Sequence, residues 1–279
     1  EIKINWAVGK KYLMRFELNQ STETKIPNQP QPVKSEVSLA QDFNITPLKQ
    51  SPDGGWELEL KVADELLNVL QNGNKVLSFD STQNPSADPN SPTALLGLII
   101  GAPLQYDINT NSEVQKIVGM DELMKRVDAA KPQQQMLFRQ LFGEETLKQY
   151  VSFGVWLPNR MMKIGESWSV KEDINSPQAG VLTLNMNYTF KDWEQHADRK
   201  CAHVEMTGAV STKSVSTASG AAIQIEKGKI SGEFWFDPDL GMLVESDSNQ
   251  SVALKVTTQA QTMTPQMNEK TRLTLVDVQ

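Results

Sequence analysis

Few side chains in this 279-residue sequence are suited to chemistry. It has one cysteine, Cys201, and two histidines, His196 and His203. Cys201 and His203 stand two residues apart in an alternating stretch from Lys200 to Met206, so a strand would put both on one face, the minimum geometry for a thiol–imidazole dyad. A nucleophilic thiol also needs a tight turn or a helix N-terminus to present it and an environment that lowers its pKa. Neither signal flanks Cys201, so the reading is a packed, idle cysteine. His196 falls in the polar segment 192–199, close in sequence to Asp192, Glu194 and Asp198. Zinc requires three or four ligands and would have to rely on carboxylates in a chain with one cysteine. A solvated hairpin turn is the preferred reading of the segment, so no metal and no cofactor is assigned.

Paired carboxylates are the other route to catalysis. Asp237 and Asp239 flank Pro238, and Glu144 and Glu145 are adjacent. Acid–base work on a glycosidic bond needs two carboxyls facing each other across a cleft. Asp237 and Asp239 read instead as turn residues, and Glu144 and Glu145 as the acidic start of a helix. Calcium would need further spaced ligands and a late bidentate glutamate. No phosphate-binding loop, dinucleotide fingerprint or Gly-x-Ser-x-Gly elbow is present. The expectation is a protein that is not an enzyme, with a hydrolase built on an unrecognised carboxylate pair as an alternative.

Bulk composition narrows the partners. A net charge of −7 with scattered Lys and Arg argues against nucleic acid and against an anionic membrane surface. The longest apolar run, Ala94 to Ala102, is far shorter than the ~20 residues of a membrane span and reads as a buried helix or strand. The single cysteine rules out intramolecular disulfides as the source of stability. The sequence starts at Glu1 and is rich in Asn, Gln, Ser and Thr, which reads as a chain whose targeting segment has been removed. An extracytoplasmic location is expected, periplasmic or secreted, with a lipid anchor upstream of Glu1 as one form of it.

What must position these residues is mostly sheet. Period-two alternation runs through Tyr12, Met14, Phe16 and Leu18, through Trp56, Leu58, Leu60 and Val62, and through Leu182, Leu184, Met186, Tyr188 and Phe190. It recurs at Ile230, Gly232, Phe234 and Phe236 and at Leu273 and Leu275. One wet face and one buried face mean antiparallel pairing. Turn residues agree at 51–55, 71–74, 227–228 and 237–241, and a hairpin is expected over about 229–257. The Pro-rich segments 26–33 and 84–92 and the small-residue stretch 216–222 read as loops. A short helix is expected at Glu65–Leu70, another at Met120–Ala130, and a third from Pro132, broken near Gly143 and running on to Val151.

The fold class expected is α+β, with antiparallel, strongly curved sheets in a half-barrel packed on a few helices. A short echo supports duplication of one unit. Gly9 followed by Tyr12, and Gly165 followed by Trp168, each pair a glycine entry with an aromatic that anchors the next strand. The division expected is 1–153, with helices in 120–151, and 154–279. The 11 methionines and 6 tryptophans supply adaptable apolar surface. Candidate ligand-lining residues are Met136, Phe138, Leu141 and Phe142 from the helices and Met186, Tyr188 and Phe234 from the strands.

The segment from Leu157-Pro158 to Ile164-Gly165-Glu166-Ser167-Trp168 resembles one found in uncharacterised bacterial exported proteins and lipoproteins, and Phe236 to Leu243 resembles their Asp–Gly hairpin. Strands wrapped around a helical segment are similar to LolA/LolB-like lipoprotein carriers. The resemblance implies a half-open barrel that holds a hydrophobic molecule or a lipoprotein segment in the cell envelope. The alternative on the same fold is an envelope structural or interaction protein whose core is filled.

Overall fold

A computed structural model describes residues 1–27, 29–83, 90–176, 179–215 and 221–279. Among the described residues the strands are β1 (Tyr12–Lys25), β2 (Val33–Gln50), β3 (Trp56–Gln71), β4 (Asn74–Asp80), β5 (Leu104–Ile108), β6 (Val114–Val118), β7 (Ser167–Ser176), β8 (Gly180–His196), β9 (Arg199–Ser214), β10 (Ala221–Asp237), β11 (Met242–Thr258) and β12 (Thr262–Val278). They form one antiparallel sheet in the order β6-β5-β3-β2-β1-β12-β11-β10-β9-β8-β7, with β4 on the part of β3 that β5 leaves free. The sheet is curved and unclosed, and the class is α+β. Both expected halves contribute to this sheet. The N-terminal strands fan out to one side of β1, the C-terminal strands to the other side of β12, and β1 pairs with β12 from Tyr12–Val278 to Lys25–Thr264.

Register shows how alternation divides the sheet into two faces. One rung of directly paired residues runs Trp168, Tyr188, Met206, Gly232, Ser248, Thr271, Leu18, Leu39, Leu67, Phe79 across ten strands. This is the inner face, mainly apolar. A neighbouring rung runs Asp42, Arg15, Thr274, Glu245, Trp235, His203, Asp192 and belongs to the outer face. On that face Arg15 grips Asp42 through two 2.7 Å bonds, and Arg272 grips Asp247 through two 2.8 Å bonds.

Helices α1 (Met120–Asp128), α2 (Pro132–Phe142) and α3 (Glu144–Gln149) and a 3-10 turn at Ser152–Trp156 follow β6. They close one end of the inner face. Phe138, Phe142, Leu147, Val151 and Phe153 join Met14, Phe43, Ile45, Leu58, Tyr188 and Phe190 in the main core. Two polar anchors fix the cover. The Tyr106 hydroxyl donates to the Leu147 carbonyl at 3.2 Å, and the Tyr150 hydroxyl donates to Gln41 Oε1. Pro132 opens α2, where its missing N–H costs nothing, and Gly143 separates α2 from α3.

Several expectations need correction. Residues 65–70 lie in β3, not in a helix, because their backbone is paired with β2 on one side and β4 on the other, and ladder pairing overrides local helix propensity. Lys227 and Gly228 are not a turn but sit within β10 beside a bulge. A side chain on Gly228 would collide with Val210, at 2.5 Å, so the glycine serves close strand approach. The run 94–102 forms a short 3-10 turn, Leu96–Leu98, and a single parallel bridge from Ile100 to Val62 rather than a full helix or strand, and Leu96 and Ile99 are fully buried. Residues 84–89 and 216–220 of the expected loops lie outside the described residues. The expected hairpin is present and longer, pairing Ala221–Thr258 through Asp237–Met242. In the echo, Gly9 and Gly165 hold matching positive φ values of 83° and 86°. Tyr12 packs edge-on against Trp6, and Trp168 stacks on Tyr188.

The helical cover makes a contrast measurable. Phe138 is fully buried, whereas Met136 on the same helix is 64% exposed. Phe138→Ala is expected to cost about 3–5 kcal/mol of unfolding free energy in urea titration. Met136→Ala should stay within about 0.5 kcal/mol of the parent.

Candidate functional site

The outer face gathers most of the residues with chemical potential. β8 and β9 are joined by a two-residue turn at Ala197 and Asp198, both with positive φ, which suits the twist of a tight hairpin. A register shift between Phe190 and Asp192 returns Asp192 and Glu194 to the outer face opposite His203 and Cys201. Trp235 pairs with His203 from β10. Its indole stacks on both imidazoles, 4.1 Å from His196 with rings 8° from parallel and 5.2 Å from His203 with rings 6° from parallel.

Acidic groups ring this stack. His203 Nδ1 faces Asp192 Oδ1 at 3.4 Å and Glu194 Oε2 at 3.9 Å, and His203 Nε2 lies 3.0 Å from Glu233 Oε2. Trp235 Nε1–H donates to Glu194 Oε1. His196 does not join Asp192, Glu194 and Asp198, as proximity in sequence had implied. Its Nε2 instead faces Glu245 at 3.4 Å, across β9 and β10, because at the end of β8 its ring lies flat on Trp235 and points toward β11.

The remaining sequence candidates have structural tasks. Cys201 is buried with Trp235 and Val244, and burial, reinforced by Asp237, pushes its thiol up to about 11. At neutral pH it is a protonated filler, and although it shares a strand face with His203 it forms no thiolate. Asp237 accepts the backbone N–H groups of Asp239 and Leu240 and pairs with Arg199 at 3.1 Å, fixing the β10–β11 turn. Asp239 is exposed. Glu144 and Glu145 both pair with Lys148 one helical turn on.

The inner face holds the apolar candidates. Phe138, Phe142, Met186, Tyr188 and Phe234 are buried in the main core, and Leu141 packs against it. Met136 is the exception and points into solvent. The reason is helical phase, since the core stripe of α2 passes through Phe138 and Phe142 and leaves Met136 on the far side. Beyond the helical cover the inner face continues toward the distal strand ends as half-buried Ile174, Leu182, Leu184, Ile223, Ile225, Leu254, Val256 and Met263. Two hollows, of about 520 and 330 Å3, lie elsewhere. Asn19, Ser21, Ser231, Asn249 and Asn268 line the larger, and Glu205, Thr207, Glu233 and Asp247 the smaller, so both belong chiefly to the polar outer face.

Sequence reasoning missed Glu65, which is 2% exposed on the inner face. It faces Gln41 across the β2–β3 ladder, and neither carboxylate oxygen nor Gln41 Nε2 completes a hydrogen bond. Burial raises its pKa to about 8, and proximity to the Gln41 amide offsets only part of that. Glu269, on the same face in β12, is also raised by burial. The signal for Glu65 was its place in the alternation with Leu67 and Val69, an acid occupying a core position.

Comparison with known proteins places the chain in context. The model of DUF6263, a family of unknown function, matches residues 55–243, more than half of the chain. No curated protein matches it. Among solved structures, one of lipovitellin, concerned with lipid–protein interactions, is similar at a TM-score of 0.54 and 9% identity. It covers 99% of this chain, which spans only 26% of that one, and the likeness is one of fold. A candidate exported protein with a YmcC-like fold from Bacteroides fragilis aligns over 100% of this chain and 99% of its own at 8% identity, but its TM-score of 0.26 carries no argument. No helix among the described residues is long and apolar enough to cross a membrane.

Glu65 makes the fold pH-sensitive in a stated direction. Its pKa is raised in the folded state, so the folded chain holds the proton more tightly than the unfolded one. This group's penalty is absent below the unfolded carboxyl range, grows between about pH 4.5 and 8, and is complete above. Glu65→Gln is expected to be more stable than the parent by an amount that rises across that window to a few kcal/mol, read as melting temperature against pH. A constant offset would refute the assignment.

Proposed function

We propose, for a chain that belongs to the DUF6263 family of unknown function, that it is a non-enzymatic protein of the cell envelope that takes an apolar, acyl-type ligand on the inner face of its curved sheet. The observation that carries this reading is the half-buried aliphatic lining from Ile174 through Leu254 to Met263, beyond the end closed by helices. A sheet with only a core to fill would show polar residues where the helical cover stops, because exposed aliphatic rows are unfavourable and prone to association. Here the inner positions stay apolar toward the tips of β7, β8, β10 and β11, at Ile174, Leu182, Ile223, Ile225, Leu254 and Val256, and at Met263 of β12, while the inner face of β1 turns polar at Gln20, Thr22 and Thr24. An acyl chain would bury it at about 25 cal/mol per Å2 of apolar surface.

The fold is shared with lipovitellin, a protein examined for lipid–protein interactions, and the analogy with lipoprotein carriers points to the same ligand chemistry. The segments that resemble exported proteins and lipoproteins support placement outside the cytoplasm. A lipoprotein acyl group or a free lipid would offer the inner face the same chains. The second reading, a protein surface laid on this trough, is favoured by the packed base, where Phe138, Phe142 and Phe190 are buried.

Delipidated protein titrated with a fluorescent fatty acid should give a saturable signal, and gently purified protein should carry a bound lipid mass in native mass spectrometry. Ile225→Glu places a charge on the lining and should weaken fatty-acid binding at least tenfold. No saturable signal and no bound mass would end the ligand reading and leave the protein-surface reading.

A further inference from the structure

Three metal-ligating atoms converge on the outer face: His203 Nδ1, one oxygen of Asp192 and one of Glu194, all within 4.8 Å of one another. The groups around them make the set more than an acidic patch. Glu233 sits 3.0 Å from His203 Nε2, so it accepts the Nε2–H and leaves the Nδ1 lone pair turned toward Asp192 and Glu194. This is the carboxylate–histidine pairing that orients ligating imidazoles. The Trp235 indole N–H occupies Glu194 Oε1 and leaves Oε2 for the same point. The stacked Trp235 ring also holds the imidazole plane.

The converging atoms are all acceptors, and nearby cations are engaged elsewhere. Lys191 pairs with Glu205 at 2.9 Å, Arg199 with Asp237, and Arg272 with Asp247. Lys200 lies over the Trp193 ring. Ligands about 2.0–2.2 Å from a tetrahedral ion stand roughly 3.3–3.5 Å apart. The His203–Asp192 separation of 3.4 Å already meets that spacing, and the 3.9 Å from His203 to Glu194, within a set spanning up to 4.8 Å, closes by rotation of the Asp192 and Glu194 side chains.

We propose that His203, Asp192 and Glu194 bind a divalent ion of the zinc class at the β8–β9 hairpin. Water completes the coordination on the exposed side, where Asp192 is 58% accessible. One nitrogen and two oxygens suit Zn2+ and its transition-metal neighbours better than Mg2+, which prefers six oxygens. The site lies on the face opposite the apolar trough, so it stands or falls independently of ligand binding there.

Zn2+ titrated calorimetrically into chelator-treated protein should bind saturably with one ion per chain. Asp192→Asn and His203→Gln should each weaken binding at least tenfold while circular dichroism keeps the parent's sheet signature. Asp198→Asn, in the adjoining turn, should bind like the parent. The proposal is overturned if the parent shows no saturable binding up to millimolar Zn2+, or if Asp192→Asn binds as tightly as the parent.

Discussion

The pairing of β1 with β12 is the constraint on which the rest of the molecule depends. These strands come from opposite ends of the sequence, and closing a loop of about 250 residues costs on the order of 5 kcal/mol in chain entropy. A long ladder from Tyr12–Val278 to Lys25–Thr264, broken only by a bulge between Leu13 and Met14, offsets that cost, since each backbone bond contributes a net ~1 kcal/mol. Without it the chain would be two meanders, each with a long unpaired edge. With it, the inner residues of both halves fall on the same rungs, and the helices that follow β6 cover a core built from Met14 and Phe43 on one side and Tyr188 and Phe190 on the other.

Because side chains alternate, the ladder also separates two chemistries by the thickness of a backbone. The inner face gathers aliphatic and aromatic side chains and keeps two acids, Glu65 and Glu269, whose carboxyl pKa values burial raises. The outer face gathers amides, hydroxyls and forked Arg–Asp pairs, together with the imidazole–indole stack. A one-residue slip in β8 or β9 would exchange these environments. The register shift at Phe190–Asp192 therefore serves both faces at once: it keeps Phe190 in the core while Asp192 faces His203 on the other side.

The antiparallel sheet was legible wherever an apolar residue recurred at every second position, as in β1, β3, β8 and the ends of β10 and β12. β2 carries the same alternation through Val37, Leu39, Phe43 and Ile45, but Gln41 interrupts it and Pro47 obscures its end. β5 and β6 have five residues each, too few for a period to stand out. The outer cluster was only partly legible. Proximity in sequence grouped His196 with Asp192, Glu194 and Asp198 and paired His203 with Cys201, whereas the β8–β9 register sets His203 opposite Asp192, and the partner that organises the cluster, Trp235, arrives from a third strand that no local spacing encodes. Glu65 was misread because a glutamate beside Leu66 and Leu67 looks helical until the ladders on both sides of β3 are known.

The sheet ends in β6 on one flank and β7 on the other; these two strands are not paired, and the chain passes between them through the helical cover, to which Trp168 of β7 is tied by a bond from its Nε1–H to the Trp156 carbonyl. A sealed barrel has its bore set by strand number and shear, and it cannot widen without tearing a seam. An unsealed curl has no such lock, so a slight change of twist at every rung moves its two rims apart or together while each rung stays intact. The span between the rims is thus set by the twist of the whole sheet together with the helical cover that links β6 to β7 at one end, and not by a closed seam.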